Sequence, residues 1–461
     1  MEAGVREASN RGDFSDGSVK RHVLRLAVPM TAAQLINLLY SVVDRMYLGR
    51  LAETGSLALT GVGIVLPVIS ILTAFTMLCG TGGAPLFSIA RGRGDDEEAE
   101  KILGNSFSLL ILMGIITTTI VIIFKKQILY AFGASDDTFP YASEYLTIYT
   151  MGTIFVMIGL GMNPFINAQG AAKRGMMTVA IGAVVNIVLD PIFIFVFDMG
   201  VAGAAYATII AQGCAATWAM LFLCGKRAIC KLRVSSLRLE AKRVGRIVAL
   251  GLSGFVMNLT NSLIQIVCNR TLQTYGGDLY VGVMTIINAL REIIFVPISG
   301  LNSAMTPVLG FNYGAGQSDR VRQGIRFSMS ITVMYMACIS AVIIGAPRMM
   351  IRIFTDDPAM IDAGVRSVRI YFSMSIIMSL QMSSQVVFLS LGKSKYAVFF
   401  SLLRKAMISA PLTVLLPRII GIDGVFFADA ISQVIGGISC SLVMYLTQYR
   451  KLGKQPERLS E

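Results

Sequence analysis

Histidine and tryptophan are nearly missing from this chain. Its 461 residues contain one of each, and His22, just ahead of the first long apolar run, reads as a solvated interfacial residue rather than a ligand. No HExxH, GxSxG or paired-aspartate metal motif occurs, so acid-base, nucleophilic and metal-dependent catalysis lack their usual side chains. The seven cysteines are odd in number, and five of them, Cys79, Cys214, Cys268, Cys338 and Cys440, sit inside apolar runs. That arrangement excludes a disulfide framework, and Cys224 and Cys230 lack the close spacing and histidines a zinc site needs. Charge is scarce as well. Asp, Glu, Lys and Arg together make 15% of the residues against 54% hydrophobic, at a mean hydropathy of +0.68, too little to solvate a soluble globular surface.

What the chain has in abundance is long apolar sequence. Stretches of about 20 residues, enough to cross a ~30 Å hydrocarbon core, recur near 24–48, 55–82, 102–124, 143–167, 176–197, 203–224, 247–272, 280–305, 327–346, 369–391, 396–417 and 424–446. None alternates as a barrel strand would, which predicts an all-α membrane protein of twelve transmembrane helices. With a cytoplasmic N-terminus, the inner segments carry 27 Lys and Arg and the outer loops 8. The net charge of +13 is therefore a topology signal that places both termini in the cytoplasm, and nucleic acid is not the expected partner. The location expected is a cell (inner) membrane. Residues 1–20 are polar and read as a flexible tail, and no signal peptide is expected ahead of the first helix.

The chain also repeats itself. At an offset of 222, Pro85 meets Pro307, Gly92 meets Gly314, Tyr149 meets Tyr371, Gly170 meets Gly392 and Lys173 meets Lys395; at 221, Gly203 meets Gly424 and Gln212 meets Gln433. Apolar helices match one another cheaply, but prolines, glycines and a loop lysine in constant register do not. The expected architecture is two pseudo-symmetric six-helix bundles, 21–224 and 247–448, with a basic cytoplasmic connector at 225–246 and a tail at 449–461. Six crossings separate equivalent points, so the repeats are parallel, and such pairs usually bind substrate between the halves and rock against each other. The connector reads as a tether at an anionic lipid surface, with a regulatory or partner-binding segment as the alternative.

Four acids lie within the apolar spans: Asp44, Asp190, Glu292 and Asp429. Each must find water, a proton, a cation or a partner, because an aspartate at a helix centre costs about 2.5–3.5 kcal/mol to insert. At 100° per residue, Gln34, Asn37, Ser41 and Asp44 share a face of helix one. Gly182, Asn186 and Asp190 do the same on helix five, and Ala204, Thr208 and Gln212 on helix six. These stripes predict one wet cavity holding both Asp44 and Asp190, with Pro191 loosening the helix beside the second. The plain alternatives are an Asp44–Arg45 pair at a helix end and a structural role for Asp190. In the second half Asp44 maps to Ile266, and Asp190 to Leu412 or Thr413. That half has instead Arg291, Glu292, Arg404, Lys405 and Asp429, which read as a paired charge network or else a second coupling site. Asn258, Asn261, Gln265 and Asn269 on helix seven, with Gln381 and Gln385 on helix ten, are candidates for the opposite wall. The 26 methionines suit an adaptable apolar pocket.

With these residues in view, "LLYSVVDRMYLG", "NIVLDPIFIF" followed by "GVAGAAYATIIAQ", and "TPVLGFNYGAG" make residues 20–448 resemble the multidrug and toxic compound extrusion (MATE) family, in its MepA-like branch. The first-half stretch "APLFSIARGRGD" matches a weaker form of the last motif. The resemblance implies export of small-molecule drugs and organic cations in exchange for Na+ or H+, with no cofactor. It assigns ion coupling to Asp44, Asn186, Asp190, Ala204 and Thr208, where Na+ could bind transiently, and substrate contact to Asn37, Tyr40, Asn163 and Gln212. Related subgroups keep acids on helices seven and ten of the second half, where this sequence is neutral. Membrane lipid and a monomeric state complete the expectations. A lipid-linked oligosaccharide flippase of the same superfamily, which should carry an arginine-rich cavity, and an intramembrane enzyme are the rival readings.

Overall fold

Runs this apolar satisfy their backbone polar groups within the segment, and each folds as a helix. The computed structural model describes residues 13–48 and 55–453, with the backbone alone at 44–46, 48, 55–60, 262 and 453. Residues 1–12, 49–54 and 454–461, including most of both tails, lie outside the described residues.

The first six spans are α1 (Val19–Leu48), α2 (Gly55–Gly92), α3 (Asp96–Ile123), α4 (Phe139–Met151 and Thr153–Ala168), α5 (Ala172–Pro191) and α6 (Gly200–Leu223). The next two form one helical stretch, Ala241–Gly314, which turns back at Gly277 (φ +64°, ψ −165°), so that 241–276 is α7 and 278–314 is α8. Only glycine enters that backbone region cheaply. Then come α9 (Ser318–Gly345), α10 (Pro358–Phe372 and Ser375–Ser390), α11 (Ser394–Leu402 continuing to Leu415) and α12 (Asp423–Met444). The repeat is visible in the bends: α4 breaks by 56° at Gly152 and α10 by 46° at 373–374, positions 222 apart in sequence. Among the described residues, a helix lies over each of the twelve predicted spans.

The chain divides into two compact units. One holds Val28–Gly251 with the residues up to Asp16; the other holds Gly17–Ala27 with the residues from Leu252 onward. The first unit therefore takes in the connector and the opening turns of α7, so it runs past the expected boundary at residue 224. A core of the first unit gathers Val65, Leu72, Leu129, Leu146, Ile194 and Ala204; one of the second gathers Leu272, Ile287, Met336, Val368, Phe372 and Phe426. Of the expected N-terminal tail, the described part starts at Asp13; there Phe14 is fully buried and helix begins at Val19.

Within the first unit α2 and α7 touch backbone to backbone. A Cβ at Gly82 would stand 2.2 Å from the Ile247 carbonyl oxygen, and one at Gly251 only 1.7 Å from that of Leu78. Small residues permit this close approach, the usual basis of helix association where no water drives it.

The connector is not a loose tether. α3 begins with the acidic turn Asp96, Glu97 and Glu98, capped by Asp95, whose side chain accepts from the Glu98 N–H at 2.9 Å. Acids at a helix start complement the positive end of its dipole, and here they also hold the basic segment. Arg243 bonds Glu98 at 2.7 Å and Arg233 pairs with Glu100 at 3.0 Å. The Gln169 side-chain oxygen accepts the Ile229 and Cys230 N–H groups at 2.8 and 3.2 Å, and Asn105 donates to the Arg238 carbonyl at 2.9 Å. Lys226, Arg227, Arg238 and Lys242 stay exposed.

This docking makes two cysteines behave oppositely. Cys224 is exposed, whereas Cys230 is buried beneath the strap and burial pushes its thiol up to about 12. Because the thiolate is the nucleophile, maleimide at pH 7 is expected to modify Cys224 and spare Cys230, read by peptide mass spectrometry. Arg243→Ala should expose Cys230 to the reagent by releasing the strap.

Candidate functional site

α6 is rich in alanine on its buried side: Ala204, Ala207, Ala211, Ala215 and Ala219. Facing it, Gly182 of α5 would bring a Cβ within 3.5 Å of the Ala215 Cβ. Small side chains on both helices let their polar groups meet directly. Asn186 donates from Nδ2 to the Asp190 carboxylate at 3.2 Å and to the Thr208 hydroxyl oxygen at 3.4 Å. Asn186 is 1% exposed and Asp190 0%. The Asn186 amide oxygen has no hydrogen-bond partner among the described residues.

The end of α5 holds this cluster in place. Pro191 cannot donate to the carbonyl four residues before it, and the helix continues as a π-helical turn, Ile192–Val196, of the kind often found at functional positions. Gly203, at the start of α6, lacks the Cβ that would lie 2.7 Å from the Phe193 carbonyl carbon. The π turn can therefore lie against α6, one turn beyond Asp190. Tyr47 of α1 packs edge-on against Phe195 at 6.4 Å between ring centroids. Asp44 precedes Tyr47 by three residues, but its side chain lies outside the described residues.

A narrow cleft, partly open to solvent, runs beside the cluster. Its wall includes Asn37 and Tyr40 from α1, Gly159 from α4, Asn186 from α5 and Gln212 from α6, and no charged side chain. The predicted stripes of α1, α5 and α6 thus converge, with one correction: Asp190 does not line the cleft. Its carboxylate is covered, and Asn186 separates it from the open space. Gln34 is exposed and outside the lining, and Ala204 belongs to the apolar core.

Asn163 also departs from its expected place. It donates to the Gly175 carbonyl at 2.9 Å and accepts from Asn167 at 2.9 Å, tying α4 to α5. Its counterpart in the second repeat, Gln385, ties α10 to α11 through Ser401 at 3.0 Å, and Gln381 reaches the Phe400 carbonyl at 3.4 Å. These amides satisfy backbone and hydroxyl groups between helices. Asn163→Ala is expected to lower the melting temperature by several degrees and leave the rank order of bound compounds unchanged, as thermal-shift titration would show.

In the second unit Asn258, Asn261 and Gln265 are exposed on α7. The charge network exists without one expected member. Lys405 Nζ stands 3.9 Å from Asp429 Oδ1, Gln433 donates to Asp429 Oδ2 at 2.8 Å, and Arg291 donates to the Tyr371 hydroxyl at 3.1 Å. Arg404 packs its side chain over Gly436. Glu292 points the other way: it is exposed and makes no ion pair among the described residues. Adjacent helix positions face different directions, so Arg291 and Glu292 cannot both turn inward. The sequence already held the sign of this cluster. At the 221 offset Asp429 stands where Thr208 stands, and Gln433 where Gln212 stands.

Among the described residues, twelve apolar helices in two repeats of six, with a buried acid behind an amide-walled cleft, define a multi-pass membrane protein. The family model MatE matches the chain twice, at residues 29–192 and 254–415. The chain belongs to the MATE, or multidrug and toxic compound extrusion, family. It is 25% identical over 443 residues to the multidrug export protein MepA of Staphylococcus aureus, spanning 95% of this chain and 96% of that one. Among solved structures, a MOP superfamily transporter from Pyrococcus furiosus, described as having a binding pocket of reverse polarity, superposes with a TM-score of 0.88 at 22% identity, covering 95% of this chain and 98% of that one. A MATE crystallised in a bent conformation gives 0.90 at 22% identity, over 95% and 97%.

Proposed function

We propose that this protein exports amphipathic, often cationic compounds in exchange for Na+ or H+, and that the exchange is read at Asp190. The observation that carries the proposal is the hydrogen-bonded step from the buried carboxylate through Asn186 to the cleft. With Asp190 charged, the Asn186 amide is held as a donor toward it. A proton on Asp190 removes the charge that strengthens this bond, so the amide is held less firmly and is freer to shift in the cleft wall. Na+ acts on the same atoms: a hard cation takes oxygen ligands, and Asp190, the Asn186 amide oxygen and the Thr208 hydroxyl offer three on two adjacent helices. Asp44, on the neighbouring α1, is the second acid in this reading, and Ala204 contributes packing.

The relatives named for multidrug export support the direction and the substrate class. Asn37, Tyr40 and Gln212 give the cleft hydrogen-bonding and aromatic surface without fixed charge, suited to compounds that differ in shape. Only a difference in affinity between the ion-loaded and drug-loaded states can drive export, through rocking of the two lobes. A lipid-linked oligosaccharide flippase would need cationic groups for a pyrophosphate, and the cleft lining contains none. The charge bias supports cytoplasmic termini in a cell inner membrane, and in this reading a monomer is the working unit.

The test is ethidium transport in proteoliposomes under an imposed Na+ or H+ gradient. Export that follows neither gradient rejects the exchange, and turnover of a lipid substrate in detergent, where no sealed compartment exists, would favour an intramembrane enzyme instead.

A further inference from the structure

The second unit buries three bases against one acid. Arg291, Arg404 and Lys405 gather around Asp429, whose side chain is 14% exposed, while Lys405 is 7% exposed. Cys268 of α7 and Tyr371 of α10 complete the titratable groups facing them, Cys440 of α12 lies by Arg404, and Glu292 is turned away. Arginine keeps its proton under all working conditions, so Lys405 is the only base of the three that can shed charge. Its contact with Asp429 is loose. At 3.9 Å the ammonium is beyond hydrogen-bond distance, whereas Gln433 holds the other carboxylate oxygen at 2.8 Å. Asp429 Oδ2 is thus held by Gln433, while the Lys405 ammonium stands off from Oδ1.

We infer that Lys405 and Asp429 form a second proton-exchange site, in which a monovalent cation binding at Asp429 displaces Lys405 and Lys405 releases its proton. The step balances: one cation arrives at the carboxylate, the ammonium becomes a neutral amine, and one proton leaves, so the buried charge is unchanged. The arrangement mirrors the first repeat with the roles exchanged. There the acid is on α5 and the neutral hydroxyl, Thr208, on α6; here the base is on α11 and the acid on α12, at the position of Thr208. The inference rests on the export reading only in using an organic cation as one probe.

The experiment measures proton release from detergent-purified protein in weakly buffered solution with a pH-indicator dye, in an Asp44→Asn, Asp190→Asn background so that both acids of the first-unit reading are silent. Two arms add NaCl against choline chloride, or tetraphenylphosphonium. About one proton per bound cation is expected in at least one arm, and the arm that responds identifies the cation. Adding Lys405→Met should cut the release at least tenfold while binding persists. Lys405→Arg, which keeps the charge but cannot give up the proton, should weaken binding and release none. No release in either arm, or equal release with Lys405→Met or Lys405→Arg, overturns the proposal. A purely structural ion pair would tolerate Lys405→Arg with release unaffected. Binding is read without transport, so a failure of ethidium export leaves this result independently legible.

Discussion

Asp190→Asn is expected to abolish concentrative export while leaving the protein folded. The substitution keeps shape and can still accept from the Asn186 amide, so the link to Thr208 and the seating of α5 on α6 should survive. What it removes is the group that can alternate between charge, proton and cation. A carboxylate with no exposure is costly to keep ionised, so the variant should melt at the same temperature or higher. Transport should move the other way. One unit charge crossing the membrane carries ~2.3 kcal/mol per 100 mV, enough to sustain about a fiftyfold substrate gradient. Losing the coupled charge should bring that ratio to about one. Ethidium accumulation in proteoliposomes at a fixed potential, alongside thermal unfolding, separates the two effects. Normal concentrative export by Asp190→Asn would end the assignment and move coupling to the second unit.

Much of this site was legible because helical spacing carries angle. Asn186 and Asp190 are four residues apart, as are Thr208 and Gln212, and that spacing alone puts each pair on one side of its helix. Angle does not give depth, however. Whether Asp190 would wall the cleft or lie behind Asn186 depended on Gly182, Ala211 and Ala215 drawing α5 and α6 together, which is a property of two helices at once. The same limit hid the interhelical bonds of Asn163, Gln381 and Gln385. A polar residue in a membrane helix advertises that it needs a partner, not whether that partner is a ligand or the backbone of the next helix. Glu292 was open to exclusion beforehand, since it adjoins Arg291. The connector's docking was hidden for another reason: the acidic turn that holds it, Asp96 to Glu100, lies about 130 residues earlier, as in the Lys231–Glu100 bond. The repeat was the most reliable signal, because prolines and glycines mark backbone geometry directly, and the paired bends of α4 and α10 follow from it.

Gly251→Leu should prevent the protein from folding, and even Gly251→Ala should be severe. The clash is with backbone: the new Cβ would sit 1.7 Å from the Leu78 carbonyl oxygen, and no rotamer change can move that atom. α2 and α7 would have to separate, opening the contact at Gly82 as well, where the Ile247 oxygen and the Gly251 nitrogen crowd the same space. Overpacking ordinarily costs about 1–3 kcal/mol when side chains can yield; a carbonyl locked in a helix cannot, so the loss should reach or exceed the upper end. Gly245→Ala is the control. It lies on the same helix six residues earlier, where an added Cβ meets nothing within 4 Å, and replacing a helical glycine by alanine should stabilise it by about 1 kcal/mol. Fluorescence-detected size exclusion after mild detergent extraction would show a monodisperse peak for Gly245→Ala and aggregate or no peak for Gly251→Leu. A normal peak for Gly251→Leu would mean that α2 and α7 are not pressed together as described, and with them the wall that α2 gives the first unit.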